Sequence, residues 1–148
     1  MANTSPMGLL RDLAEQTLTE TTAELGKAQR ACDRATQQLN QLENYQSEYQ
    51  QQLHASMQQQ GVLMADLLNH QSFIDSLTSA VKQHAAFVAD CRQKVDQTRQ
   101  TWRQDKQRLN AFETLQSRAK AAEQLKEHRL EQRMMDEFAQ RASMRREV

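Results

Sequence analysis

The fold is decided by the stretch Leu18–Leu53, which reads LTETTAELGKAQRACDRATQQLNQLENYQSEYQQQL. Apolar and small residues recur in it at alternating intervals of three and four, the spacing of coiled-coil a and d positions. A second stretch, Ile74–Phe112, keeps the same rhythm for about five heptads. The first stripe comprises Leu18, Thr21, Leu25, Ala28, Cys32, Ala35, Leu39, Leu42, Gln46, Tyr49 and Leu53; the second comprises Ile74, Leu77, Val81, His84, Val88, Cys91, Val95, Thr98, Trp102, Asp105, Leu109 and Phe112.

Gly61 lies between the two stripes, where the rhythm lapses. The pattern predicts an all-α fold, a long antiparallel two-helix coiled-coil hairpin with a C-terminal helical overhang, forming one coiled-coil domain over 1–148. We expect helix 1 over about 6–58, a tip over about 59–69 and helix 2 over about 70–141. Asn3-Thr4-Ser5-Pro6 is typical of a helix start, with Ser5 as the cap. The apolar segment Val62–Leu68 either forms a short helical turn or merges into helix 2.

The composition agrees with a thin core. Of 148 residues, 38% are hydrophobic and 5% aromatic, which is little for a globular domain but enough for two narrow stripes. A disordered glutamine-rich tract is the alternative, and the sustained heptads argue against it. Because two packed helices have no concave interior, and no phosphate loop or nucleophile motif occurs, we expect no enzyme and no cofactor.

Other classes of site find little support in the sequence. Four histidines, His54, His70, His84 and His128, show no metal-ligand spacing, so no metal site is expected. Basic residues flank Trp102 but alternate with Asp96 and Asp105, which disfavours nucleic-acid binding. Residues 91–120 carry a basic excess, which either neutralises the acidic excess of residues 1–60 on the facing helix or presents a basic face to an acidic partner. No apolar run approaches the eighteen or so residues of a membrane span, and 1–7 does not look like a secretory signal. We therefore expect a cytoplasmic protein without membrane insertion.

A fold at Gly61 brings together residues whose numbers add up to about 123. This register places Cys32 opposite Cys91, and we interpret both as small apolar seam residues, with a disulfide as the alternative. In this register the start of helix 1 lies opposite about residue 118 of helix 2. The residues of helix 2 beyond that point, its tail, therefore have no partner on helix 1. A frayed tail is one interpretation. The other is a protein interface built from the apolar tail residues Leu125, Leu130, Met134, Met135 and Phe138.

An aromatic cluster is expected near the tip. The register places Tyr45 and Tyr49 at the height of Phe73 and Leu77. A two-helix seam cannot bury all of these residues, so a partly exposed docking surface competes with a locally thick core. The matching rhythms run through Gln38, Leu42, Tyr45 and Tyr49 on helix 1 and through Phe73, Leu77, Ala80 and His84 on helix 2.

Several segments together resemble the FliJ family of the bacterial flagellar type III export apparatus. The sharpest match is the tail signature Met135–Ala142, MDEFAQRA. It is joined, in order, by Leu10–Glu15 near the start, Tyr45–Tyr49 before the tip, Trp102-Arg103, and Lys106–Leu109. The resemblance covers essentially the whole chain, and the tip segment Val62–Leu68 is its least secure part.

The resemblance implies a non-enzymatic stalk-like coiled coil with several partners. These would be the hexameric export ATPase FliI, whose ring it enters and helps to assemble, the export gate protein FlhA, and export chaperones such as FlgN and FliT, which it would recycle. It implies gate binding through Gln38, Leu42, Tyr45, Tyr49, Phe73, Leu77, Ala80 and His84, and location at the cytoplasmic face of the inner membrane. A chaperone escort and a structural spacer are the alternatives.

The open end of the hairpin is the expected ATPase contact. We expect Leu10 and Leu13 to join the tail in one narrow, mixed apolar and basic rod end. Basic residues close to the C-terminus suit both the helix dipole and an acidic partner. The expected contact set is Leu10, Leu13, Met134, Phe138, Arg141 and Arg145.

Overall fold

The structure of the protein, a computed structural model, describes residues 5–147 and contains two long helices. Helix α1 spans Pro6–Gln59 and helix α2 spans Met64–Glu147. The start of α1 follows the expected chemistry, because the Ser5 hydroxyl oxygen accepts a hydrogen bond of 3.1 Å from the Gly8 amide while Pro6 occupies the first helical position. Asn3 and Thr4, which belong to the expected start signal, lie outside the described residues.

The turn between the helices is shorter than the sequence predicts. Gly61 adopts the left-handed conformation with φ of 70°, which glycine accepts without the cost of a Cβ. The tip predicted over about 59–69 is wrong, because α2 begins at Met64 rather than near His70. The Leu67 amide already donates to the Leu63 carbonyl at 2.9 Å. Of the apolar segment Val62–Leu68, the residues from Met64 onward belong to α2, the second of the two expected outcomes. Helix α2 also extends past the predicted end near 141.

The chain divides into two compact units, each formed by a segment of α1 and a segment of α2. We call Glu20–Arg103 the turn unit; the terminal unit combines the residues up to Thr19 with those from Gln104 onward. The single coiled-coil domain expected over 1–148 stays a prediction.

The helices of the turn unit pack antiparallel, as the hairpin prediction requires. Gln46 donates to the Thr78 hydroxyl at 2.7 Å, and the Trp102 indole N–H donates to the Thr22 hydroxyl at 2.9 Å. In the terminal unit, Arg11 contacts Glu113 at 3.2 Å. The numbers in each of these three pairs add up to 124, close to the expected register. Trp102 therefore forms a contact between the two helices.

Small residues at heptad intervals form the centre of the seam in the turn unit. Thr21, Ala28 and Ala35 are buried on α1, and Val88 and Val95 are buried on α2. Ala35 and Val88 are each only 2% exposed. All the predicted stripe residues are buried or half-buried, which confirms the seam. Cys32 and Cys91 are half-buried free thiols within it, consistent with their interpretation as small apolar residues.

The terminal unit has a short paired part and a long exposed part. Ala14 on α1 and Leu109 on α2 are buried in the paired part. Gln116 is the last half-buried residue of α2, and residues 117–146 are exposed throughout. Because α1 offers no residues to cover it, this segment of α2 continues as a single helix. We call residues 117–146 the tail helix.

Candidate protein-docking sites

An aromatic cluster joins α1 and α2 in the turn unit. The ring of Phe73 lies 4.8 Å from the ring of Tyr49 and 6.5 Å from that of Tyr45, centre to centre. The Tyr45 contact is edge-to-face, with an angle of 83° between the ring planes. Edge-to-face ring contacts contribute interaction energy in addition to that gained from burying apolar surface. The register therefore predicted correctly which aromatic residues meet across the hairpin.

The cluster belongs to a wider surface, which we call the aromatic patch. It consists of Gln38, Leu42, Tyr45, Tyr49, Phe73, Leu77, Ala80 and His84. Tyr45 is 50% exposed and Phe73 is 41% exposed, whereas Tyr49 and Leu77 are half-buried seam residues. A thick core would have buried both exposed rings. The seam residues instead support rigid aromatic side chains at the surface, an arrangement typical of interface anchors.

Polar contacts hold the two halves of the aromatic patch in register. The Tyr49 hydroxyl is hydrogen-bonded to Nδ1 of His70. At the other end, Nε2 of His84 donates to the Ala35 carbonyl oxygen at 2.9 Å. Because a carbonyl oxygen can only accept, Nε2 of His84 must carry a proton. These bonds couple the side chains of α2 to α1, so the patch is organised before any partner binds.

One exposed aromatic residue extends beyond the predicted set. Phe87 is 54% exposed, and its ring centre lies 5.7 Å from that of His84, with 38° between the planes. Phe87 follows Ala80 by seven residues and Phe73 by fourteen, so the three share one flank of the seam. That spacing is the signal which could have identified Phe87, but the predicted rhythm ended at His84.

The residues predicted to contact the ATPase ring are all exposed and all belong to the terminal unit. Leu10 is 44% exposed and Leu13 is 52% exposed, while Met134 and Phe138 are 62% and 76% exposed. Arg141 and Arg145 are exposed as well.

The structure places these residues in two groups within the terminal unit. The contact between Arg11 and Glu113 shows that Leu10 and Leu13 of α1 lie beside the part of α2 around Glu113. Met134 lies 21 residues beyond Glu113, which corresponds to about 30 Å of helix. The predicted overhang of α2 past the start of α1 therefore separates the two groups, and their joint contact with the ATPase ring stays a prediction.

Arg11 ties the first group to α2 and was missed by the sequence reasoning. Its guanidinium contacts Asp12 at 3.3 Å, Glu15 at 2.6 Å and Glu113 at 3.2 Å. Hydrogen bonds to Asp12 and Glu113, together with the charge of Glu15, raise the pKa of Arg11 above its ordinary value. Arg11 lies one heptad before the seam residue Leu18 and so continues the stripe. A search for apolar residues does not find it, because its side chain is charged.

Two further kinds of feature, metal-ligand clusters and membrane-spanning stretches, do not occur among the described residues. Among residues 5–147, no group of three or more His, Cys, Asp or Glu side chains is placed to hold a metal ion. Over the same range, neither helix has a stretch long and apolar enough to cross a bilayer. The candidate functional sites are the aromatic patch and the exposed residues of the terminal unit.

Comparison with known proteins agrees with the resemblance seen in the sequence. The family model described as Flagellar FliJ protein matches residues 3–148. The Flagellar FliJ protein of Salmonella typhi is 42% identical over 146 residues, covering 99% of each chain. The Flagellar FliJ protein of Escherichia coli (strain K12) is likewise 42% identical over 146 residues, with 99% of each chain covered.

Proposed function

The chain belongs to the flagellar FliJ family, and from this premise we propose that it couples an export ATPase ring to the export gate of the bacterial flagellum. In this role the protein performs no chemistry of its own. Its two exposed surfaces bind different partners, at the cytoplasmic face of the inner membrane. The observation that carries the proposal is the presence of two distinct exposed surfaces, one in each unit, where a spacer would need neither.

The tail helix is the proposed contact with the hexameric ATPase FliI. Residues 117–146 are exposed over their whole length. A single α-helix is about 10–12 Å across with its side chains, which suits the narrow central channel of a ring. Met134 and Phe138 offer apolar contacts, and Arg141 and Arg145 offer positive charge near the C-terminus. Binding several subunits of the ring at once would favour its assembled form by mass action.

The aromatic patch is the proposed contact with the gate protein FlhA. Its exposed rings are supported by half-buried neighbours and by cross-helix hydrogen bonds. Preorganised aromatic anchors of this kind lose little conformational entropy on binding. Export chaperones such as FlgN and FliT are further proposed partners, which would bind the chain at other stages than the gate does.

We expect the full chain to raise the ATPase rate of FliI, because stabilising the assembled ring increases the active fraction. The measurement is steady-state ATP hydrolysis by FliI at subunit concentrations near its assembly midpoint, with and without the chain. The stimulation should shrink at high FliI concentration, where the ring assembles unaided. An unchanged rate at every concentration would contradict ring binding. Capture of FlgN or FliT together with an unchanged rate would favour the chaperone escort instead.

A further inference from the structure

Two rows of side chains flank the seam on one side of the turn unit. On α2, Phe73, Ala80 and Phe87 follow one another at heptad intervals, as do Gln38 and Tyr45 on α1. The rings of Tyr45 and Phe73 touch, so the two rows border the same side of the seam. The next heptad position is Ala31 on α1 and Lys94 on α2. The aromatic patch therefore lies at one end of a longer surface.

An open groove continues this surface beyond Phe87. It lies between α1 and α2 and has a volume of about 380 Å³. Ala28, Ala31 and Cys91 supply small apolar side chains to it, which permit close approach of a partner. The full lining is Glu24, Lys27, Ala28, Ala31, Cys91, Lys94 and Thr98.

We propose that the docking surface runs from Tyr45 and Phe73 through Phe87 to Lys94 and binds one amphipathic helix of the gate protein. The apolar face of that helix would cover Phe87 and the groove, and one of its carboxylates would pair with Lys27 and Lys94. This inference rests on the proposed docking of the gate at the aromatic patch. It adds the kind of segment that binds and the residues that select it.

The shape of the surface favours a helix as the occupant. A groove between two packed helices accepts the apolar face of a third, as in other helix-in-groove complexes. Phe73 and Lys94 are 21 residues apart on α2, which corresponds to about 30 Å of helix. A partner helix of similar length would cover both exposed rings and the groove.

The charges around the groove favour an acidic side chain on that helix. Lys27 and Lys94 line the groove together with one carboxylate, Glu24. Neither lysine forms an ion pair within residues 5–147. A carboxylate brought to this rim would meet a net positive charge, and exclusion of water by the helix would strengthen the attraction.

The test compares Phe87→Ala and Lys94→Glu with two matched controls, by calorimetric titration of the full chain with the purified cytoplasmic domain of FlhA. Phe87→Ala should weaken binding about ten-fold or more, and Lys94→Glu about five-fold with a smaller dependence on salt. The controls are Met57→Ala, at a 44% exposed site outside the surface, and Arg92→Glu, at an exposed site outside the groove. Both controls should bind like the unchanged chain.

A Tyr45→Ala variant separates this inference from the proposed function. If Tyr45→Ala weakens binding while Phe87→Ala or Lys94→Glu behaves like its control, gate docking stands and the extended surface is wrong. If all three bind normally, the gate docks elsewhere and both proposals are wrong. Because all three side chains are at least half exposed or lie on the rim, the helical circular-dichroism signal should stay unchanged in every variant.

Discussion

Deletion of the residues from Met134 onward is expected to abolish stimulation of FliI while leaving affinity for FlhA within about two-fold of the full chain. The deletion removes the exposed apolar residues Met134 and Phe138 and the basic residues Arg141 and Arg145, all in the terminal unit. Residues 117–146 bury nothing against α1, so the paired helices should lose little stability. The measurements are FliI hydrolysis rate, FlhA-domain affinity and thermal unfolding on the same preparations.

The matched control for the deletion is the double substitution Leu10→Ala and Leu13→Ala. This second group lies about 30 Å of helix away from Met134, at the height of Glu113. If the ring contacts only the tail helix, the double variant should stimulate normally. If the ring encloses both groups, stimulation should fall in both variants. Full stimulation by the deleted chain would show that the tail helix does not act on the ring.

Substitution of Phe73 by alanine is expected to weaken FlhA binding about thirty-fold, since buried aromatic anchors typically contribute about 2 kcal/mol or more. Phe73 contacts both Tyr45 and Tyr49, so its loss removes one exposed ring and loosens two others. Tyr45→Ala should weaken binding to a similar degree. Affinity for the purified FlhA cytoplasmic domain measures the effect, and circular dichroism verifies that the helices persist.

Two further variants serve as controls for Phe73→Ala. Phe73→Leu keeps an apolar side chain and should restore part of the affinity. Leu68→Ala removes a 63% exposed apolar side chain of the turn unit outside the aromatic patch and should have no effect. Normal binding by both Phe73→Ala and Tyr45→Ala would show that the patch is not the gate contact.

The seam could be predicted because it depends on one periodic signal. Every seam residue has to contact the facing helix, so buried positions repeat every seven residues. The small or branched apolar residues Ala28, Ala35, Val88 and Val95 occupy such positions. Register followed from a single glycine, Gly61, whose positive φ the turn requires. The meeting of Tyr45 with Phe73 is a direct consequence of that register.

The start of α2 and the residues beside the seam were harder to predict from the sequence. The α2 start at Met64 depends on hydrogen bonds that any non-breaking segment can form, so composition does not distinguish helix from tip there. Arg11 takes a seam position through its ion pairs, which an apolar pattern does not register. Phe87 lies outside the seam, where the heptad sets no requirement for burial. The separation of Leu13 from Met134 follows from the predicted register, which the contact between Arg11 and Glu113 confirms.

Simultaneous binding of the ATPase and the gate tests the coupling account most directly. The cytoplasmic domain of FlhA is immobilised, and capture of assembled FliI is measured with no chain, with the full chain and with the chain lacking residues from Met134 onward. The account predicts capture of FliI only with the full chain, because the aromatic patch and the tail helix belong to different units. Release of the chain from FlhA when FliI is added, or equal capture without the tail, would contradict it.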